Sequence, residues 1–233
     1  MKIKTFVLIL LLSAFCISAC YKSGETNDKK TTRTPDKSSP VADKSSSPVA
    51  QSTGNFAQAK SDYDAKNYEK AVTGFQEVVK GDAKNLEAQY YLGKSYQALK
   101  KDNEAIAAFK EAVKIKPEHA NANFELGNIY YGRKEHETAL PFYQQAVKTN
   151  FKDPIMLMAL GDNYGALKKD DYAIVQYQKV IEFDKTNAQA MYKSGLAYVS
   201  MNNKIAARQQ AQRLEPIDAS LAKKLLDLVD KMK

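Results

Sequence analysis

A small set of residue types recurs along this chain at a fixed interval of 34 residues. Glycine, tyrosine, alanine and an aromatic residue each form a column with this step. The columns are Gly93, Gly127, Gly161 and Gly195; Tyr96, Tyr130, Tyr164 and Tyr198; Ala71, Ala105, Ala139, Ala173 and Ala207; and Phe75, Phe109, Tyr143 and Tyr177. This self-similarity predicts stacked structural units, because a unit of this size cannot bury its apolar face alone.

Within one unit, the apolar residues follow the spacing of two consecutive helices. Across residues 88–99, small or apolar side chains fall three and four residues apart, which predicts one amphipathic helix. The polar stretch 100–103 interrupts this stripe, and the same spacing resumes over residues 105–113. Pro117 then ends the second helix, because proline lacks the amide hydrogen that a helix interior needs. Each unit is therefore expected to form a helical hairpin.

One unit carries a recognisable pattern in full, at Leu92, Gly93, Tyr96, Ala105, Phe109, Ala112 and Pro117. This pattern resembles the tetratricopeptide repeat (TPR) family, and the next two units match most of it. The resemblance implies an all-α fold, a right-handed α-α superhelix (TPR solenoid) of about five helix hairpins plus a C-terminal capping helix. The domain would cover residues 55–233, with units at 52–85, 86–119, 120–153, 154–187 and 188–221 and a capping helix at 218–232.

The two end units depart from the pattern, as end repeats in such arrays usually do. In the first unit, Ala59 stands at the glycine position. In the fifth, Ala211 replaces the aromatic residue, which predicts a thin second helix. Pro141 lies early in the second helix of the third unit, where it is expected to shorten or tilt the first turn.

The N-terminal residues 1–19 have the layout of a secretory signal peptide, with a basic start, an apolar core and small residues before a cysteine. The apolar run is shorter than the roughly 17–20 residues of a spanning helix, although an uncleaved anchor is the alternative. The tetrapeptide 17–20 resembles the lipobox of bacterial lipoproteins, which implies that Cys20 carries lipid. Tyr21, in place of Asp, favours the outer membrane of the bacterial envelope, facing the periplasm or the cell surface.

Residues 20–54 comprise the lipidated Cys20 and a predicted tether that is rich in Ser, Thr, Lys and Pro. This composition favours disorder, because the segment cannot bury enough apolar surface to offset its chain entropy. Two near-copies of a Ser-Pro-Val-Ala motif stand in tandem within it. The alternative is that this motif binds something itself.

The net charge of +8 invites a nucleic-acid interpretation of the whole chain. However, residues 55–233 hold 27 basic and 23 acidic residues, and these are interleaved along the predicted helices. The folded part is therefore only mildly basic, and no nucleic-acid partner is expected.

Catalytic motifs are missing from the sequence, which contains no phosphate-binding glycine loop, no nucleophile elbow and no zinc-binding helix motif. His119 and His136 are the only histidines, and both are expected to be solvated turn residues. We therefore expect a protein that is not an enzyme and has no cofactor, no metal ion and no small-molecule substrate.

The candidate binding surface comes from the resemblance. In this family the first helices of the hairpins line a concave groove, and positions five, nine and twelve of each unit point into it. These positions are Tyr90, Lys94, Gln97, Phe124, Asn128, Tyr131, Met158, Asp162 and Tyr192. Large apolar side chains there can anchor a peptide or a helix. The alternative is that they pack against adjacent helices.

These observations favour a membrane-anchored adaptor or scaffold that binds an unidentified protein or peptide in its groove, with Cys20 as its link to the membrane. The alternative is a regulatory subunit for an envelope enzyme that acts on the cell wall. Nucleic-acid binding is a weaker third possibility.

Overall fold

The structure is a computed structural model that describes residues 48–232, and the side chains of residues 55–232. This part of the chain forms eleven α-helices and no strand. The helices are α1 (Pro48–Asp64), α2 (Tyr68–Gly81), α3 (Leu86–Ala98), α4 (Asp102–Ile115), α5 (Ala120–Gly132), α6 (His136–Thr149), α7 (Pro154–Ala166), α8 (Asp170–Phe183), α9 (Ala188–Ser200), α10 (Lys204–Leu214) and α11 (Ala219–Asp230).

Consecutive helices pair into five hairpins, α1 with α2 through α9 with α10, and each hairpin packs on the next. The last helix, α11, packs on both α9 and α10. The predicted all-α superhelix of five hairpins and a capping helix is thus confirmed. The predicted signal peptide, Cys20 and most of the tether lie outside the described residues.

The first helices start at a shared capping position. Four residues, 34 apart, each accept a hydrogen bond from the backbone amide three residues further on, at 2.9–3.1 Å. They are Asn85, His119, Asp153 and Asn187. Such caps satisfy amides that have no partner within the helix, which defines where each helix begins.

The turn inside each hairpin also repeats. One residue in each of the five turns has a positive φ between 56° and 62°: Lys66, Lys100, Lys134, Lys168 and Asn202. In the second hairpin, Lys100 N–H donates to Gln97 O and Lys101 N–H donates to Tyr96 O, each at 2.9 Å. This is the Schellman arrangement that closes a helix with a left-handed residue.

The glycine column is explained by the aromatic column. A Cβ on Gly93 would lie 2.6 Å from the ring of Phe109, and a Cβ on Gly127 would lie 2.7 Å from the ring of Tyr143. In the first hairpin, where Ala59 stands at the glycine position, the close approach is at Gly74 of α2, because a Cβ there would lie 2.7 Å from the Cβ of Ala59. Only glycine lets the two helices of a hairpin approach this closely around a buried ring.

Two local expectations need correction. The tether predicted to reach residue 54 ends earlier, because α1 begins at Pro48, and proline has a backbone angle suited to the first turn of a helix. Pro141 does not shorten α6, which spans 14 residues as α4 and α8 do. The buried side chains of Tyr143 and Val147 hold the helix in place around the proline.

Candidate functional site

The residues predicted to line the groove lie on four consecutive first helices, α3, α5, α7 and α9. All nine are partly exposed, so each has one side against the protein and another open to solvent. We call the surface formed by these helices the groove face. Because each first helix is capped at the equivalent residue, equivalent positions occupy equivalent places on this face.

The aromatic residues of the groove face also contact neighbouring rings. The ring of Tyr90 lies 5.8 Å from that of Phe109 and 5.2 Å from that of His119. The ring of Phe124 lies 5.9 Å from that of Tyr143. Burial, above all, raises the pKa of the Tyr90 hydroxyl above its ordinary value. These side chains therefore pack within the hairpins and also leave part of their surface exposed on the groove face.

A polar cluster brings three of the predicted residues together around Glu125. Lys94 Nζ donates to its Oε1 at 2.6 Å, and Gln97 and Asn128 both donate to its Oε2 at 3.2 Å. The hydroxyl of Tyr143 donates to Asn128 Oδ1 at 2.9 Å, which links the cluster to the core.

A second cluster surrounds Asp162. Lys193 Nζ lies 2.5 Å from its Oδ2, and the hydroxyl of Tyr177 donates to its Oδ1 at 2.8 Å. Burial, followed by the negative charge of Asp162, raises the pKa of the Tyr177 hydroxyl. The carboxylate is therefore held in a fixed orientation on the groove face.

The two ion pairs occupy the same repeat positions with opposite polarity. Each joins position nine of one unit to the residue 31 further along, Lys94 to Glu125 and Asp162 to Lys193. We call these contacts inter-hairpin rungs. At the equivalent positions of the first and second units, the ammonium group of Lys60 lies 4.9 Å from the ring centroid of Tyr91. The two ion pairs therefore tie α3 to α5 and α7 to α9 on this face, whereas the uncharged Asn128 and Ala159 stand at the equivalent positions of α5 and α7.

Sequence reasoning missed Glu125 and Lys193, because the groove positions were taken within one unit at a time. The signal was present in the position-six column, where Tyr91, Glu125, Ala159 and Lys193 follow one another at 34 residues. Comparison of position nine with the position six of the following unit would have revealed the two opposite-charge pairs.

Two cavities lie side by side on the groove face of α7, and Asp162 lines both. The Gly165 cavity has a volume of about 360 Å³ and is bounded by Tyr131, Gly165 and Leu196 among others. The Ile155 cavity has a volume of about 460 Å³ and is bounded by Ile155, Met158 and Ala159 among others. The site thus brings Tyr131, Met158 and Asp162 into one continuous region. Tyr192 lines neither of these two cavities and, like Tyr131 and Met158, packs against the core.

The histidines have structural positions rather than the solvated ones expected. The backbone amide of Ala122 donates to Nδ1 of His119 at 3.0 Å, so this residue caps α5. His136 is the first residue of α6, and its ring lies 5.0 Å from that of Tyr131. In the described part of the chain, no three His, Cys, Asp or Glu side chains are grouped so that they could hold a metal ion. None of the helices between residues 48 and 232 is long and apolar enough to cross a bilayer.

Family and structure comparisons agree with this architecture. A model described as TPR repeat matches residues 98–133, and one described as Tetratricopeptide repeat matches residues 120–153. Comparison with curated proteins gives no match.

Among solved structures, the chain is similar to YrrB, described as a TPR protein with an unusual peptide-binding site. The two share 23% identity and a TM-score of 0.68, over 74% of this chain and 90% of YrrB. It is also similar to MamA, at 24% identity and a TM-score of 0.68, over 75% of this chain and 96% of that one. MamA from Desulfovibrio magneticus RS-1 is 18% identical, with a TM-score of 0.65, over 73% of this chain and 96% of that one. Residues 98–153 therefore hold repeats of the tetratricopeptide family, and the described domain has the fold of tetratricopeptide-repeat proteins.

Proposed function

We propose that this protein is a non-enzymatic, lipid-anchored adaptor at the bacterial envelope that binds a protein or peptide on its groove face. The observation that carries the proposal is the pair of adjoining cavities beside half-exposed apolar side chains on consecutive first helices. Concave sites lined by apolar groups with a few fixed polar groups are typical of binding sites. The peptide-binding site named for YrrB gives this proposal a precedent in the same fold.

The anchoring half of the proposal rests on the sequence pattern that ends at Cys20. Lipid on this cysteine would hold the domain at a membrane, since several acyl chains anchor a protein stably. Mass spectrometry of the mature N-terminus tests this directly, with a lipid-modified cysteine at residue 20 as the expected first residue. The C20S variant is expected to remain unprocessed. A mature protein that keeps residues 1–19 would refute the lipid anchor.

The binding half is tested by a matched pair of exposed isoleucines. Ile155 is the second residue of α7 and 67% exposed, and Ile205 is the second residue of α10 and 75% exposed. Glutamate is compatible with the first turn of either helix, because a carboxylate there interacts favourably with the helix dipole. Only Ile155 lies on the groove face.

We expect a partner crosslinked in intact cells to be retained by wild type and by I205E, and lost by I155E. Equal capture by all three proteins would exclude the groove face as the site. If the captured partner is a cell-wall enzyme whose rate changes on addition of the purified protein, the adaptor acts as its regulatory subunit.

A further inference from the structure

We propose that the Gly165 cavity is a specificity pocket for one large uncharged side chain, aromatic or long aliphatic, of the bound peptide. The adjoining Ile155 cavity takes a second uncharged side chain of the same peptide. This inference rests on the proposed function, because it names the class of ligand that the groove face selects.

The first argument is the space left by a missing side chain. Position twelve carries Gln97 in the second unit and Tyr131 in the third, but Gly165 in the fourth. A Cβ at residue 165 would meet no heavy atom within 4 Å, so nothing in the fold requires glycine there. The contrast is with Gly161 one turn earlier, whose Cβ would lie 2.5 Å from the ring of Tyr177. The opening of about 360 Å³ suits one large side chain, since pockets for whole ligands range from roughly 300 to 1,000 Å³.

The second argument is charge. Among the charged groups that line the Gly165 cavity, Asp162 and Lys193 pair with each other. Asp170, the first residue of α8, accepts a hydrogen bond from the Ser200 hydroxyl at 2.6 Å, and Lys168 lies in the turn that precedes it. These two acids and two bases sum to zero net charge, so the cavity offers a charged ligand group no net counter-charge to compensate for its lost hydration. An uncharged side chain is the complementary ligand.

The third argument is the second cavity. It is bounded by Pro154, Ile155, Met158 and Ala159, and Asp162 is its one charged group. Asp162 is already engaged by Lys193 and Tyr177, so this cavity also favours an uncharged group. The two cavities therefore offer two sites for uncharged groups, and Asp162 of the internal ion pair lines both.

The spacing of the cavities limits the ligand further. Met158 and Gly165 lie seven residues apart on α7, which is roughly 10 Å along a helix axis. An extended peptide covers that distance in about three residues, and a helical one in about seven. The expected ligand thus carries two bulky uncharged residues at one of these two separations.

A random-peptide library displayed on phage provides the probe. Selection on the detergent-solubilised full-length protein should enrich peptides with two large uncharged residues at one of those separations. Binding of an enriched synthetic peptide is then measured for wild type, G165Q and G132Q. Gly132 is the matched control, because it also lies at the end of a first helix and a Cβ there meets nothing within 4 Å.

We expect G165Q to weaken peptide binding about tenfold or more, because filling a hydrophobic subsite by a few atoms has effects of this order. G132Q should bind as wild type does. Both variants should unfold at or above the wild-type midpoint, since glycine within a helix is destabilising.

The possible outcomes separate this inference from the proposed function. Enriched peptides that bind G165Q as well as wild type, or that share only charged residues, would overturn the specificity pocket. If such peptides still fail to bind I155E, the groove face remains the binding site. A selection on wild type that enriches no peptide would overturn the specificity pocket, whereas the proposed function is decided separately by the crosslinking comparison of I155E with I205E.

Discussion

Leu225 of the capping helix packs over Gly195 of α9, at the place where the inner hairpins put an aromatic ring. The fifth unit has Ala211 at its own aromatic position, so its second helix cannot fill this space. Leu225 is fully buried there. The capping helix therefore supplies the side-chain volume that α10 lacks. The predicted thin second helix of this unit is also seen in its length, because α10 spans only 11 residues.

Truncation of this side chain should destabilise the end of the array. We expect L225A to lower the free energy of unfolding by about 2–5 kcal/mol, the range for buried leucines whose removal leaves a cavity. Urea unfolding followed by circular dichroism measures the loss. L228A is the control on the same helix, because Leu228 is 37% exposed and its truncation should cost far less. Equal losses would contradict the capping role of Leu225.

The reversed polarity of the two rungs makes a charge-exchange prediction. K94E places a like charge beside Glu125 and should destabilise the protein, whereas the double variant K94E/E125K restores an ion pair. The pair Asp162–Lys193 already shows that the reversed arrangement fits these positions. A double-mutant cycle is expected to give a coupling energy of up to about 1 kcal/mol at low salt, and less at high salt. A double variant no more stable than K94E alone would be inconsistent with the rung.

The hairpins and their number could be predicted from sequence because every residue of a 34-residue column performs the same packing role. Gly127, for example, is small because Tyr143 is large, and both lie within one unit. The rungs could not be predicted in that way. The contact between Lys94 and Glu125 depends on how one hairpin sits on the next, and this offset is a property of the stack.

The cavities were also beyond prediction, for a related reason. The space at Gly165 comes from the absence of a side chain, and a periodic pattern reports only the residues that recur. Pro141 shows a different limit of prediction from sequence. Proline ordinarily disrupts a helix, but α6 continues through Pro141 because it packs against its neighbouring helices.

The hairpin turns predict a simple route to higher stability. Lys100 has a φ of 58°, a left-handed conformation that strains a residue with a side chain. We expect K100G to raise the free energy of unfolding by roughly 0.5–1 kcal/mol, because glycine adopts this conformation without strain. N202G should gain less, since asparagine tolerates the left-handed region better than lysine. Chemical denaturation of the two variants measures the difference, and a larger gain at residue 202 would refute the argument.

His119 predicts a pH dependence of stability. Burial, assisted by Lys116 and opposed by Glu87, lowers the pKa of its imidazole below the ordinary value. Protonation also removes the lone pair on Nδ1 that accepts the amide of Ala122. The stability from neutral His119 is therefore complete above the unfolded-state pKa of about 6.5. It is lost as the pH falls from there through the lower folded-state pKa.

H119N isolates this contribution, because Asn85 and Asn187 already cap the equivalent helices and asparagine does not titrate. The variant loses the ring contact with Tyr90, so its absolute stability is not the informative quantity. The informative quantity is the fall in urea midpoint between pH 7.5 and pH 5.5, which should be smaller for H119N than for wild type. Parallel pH profiles would show that the cap at His119 keeps its strength on protonation, contrary to the geometry at Nδ1.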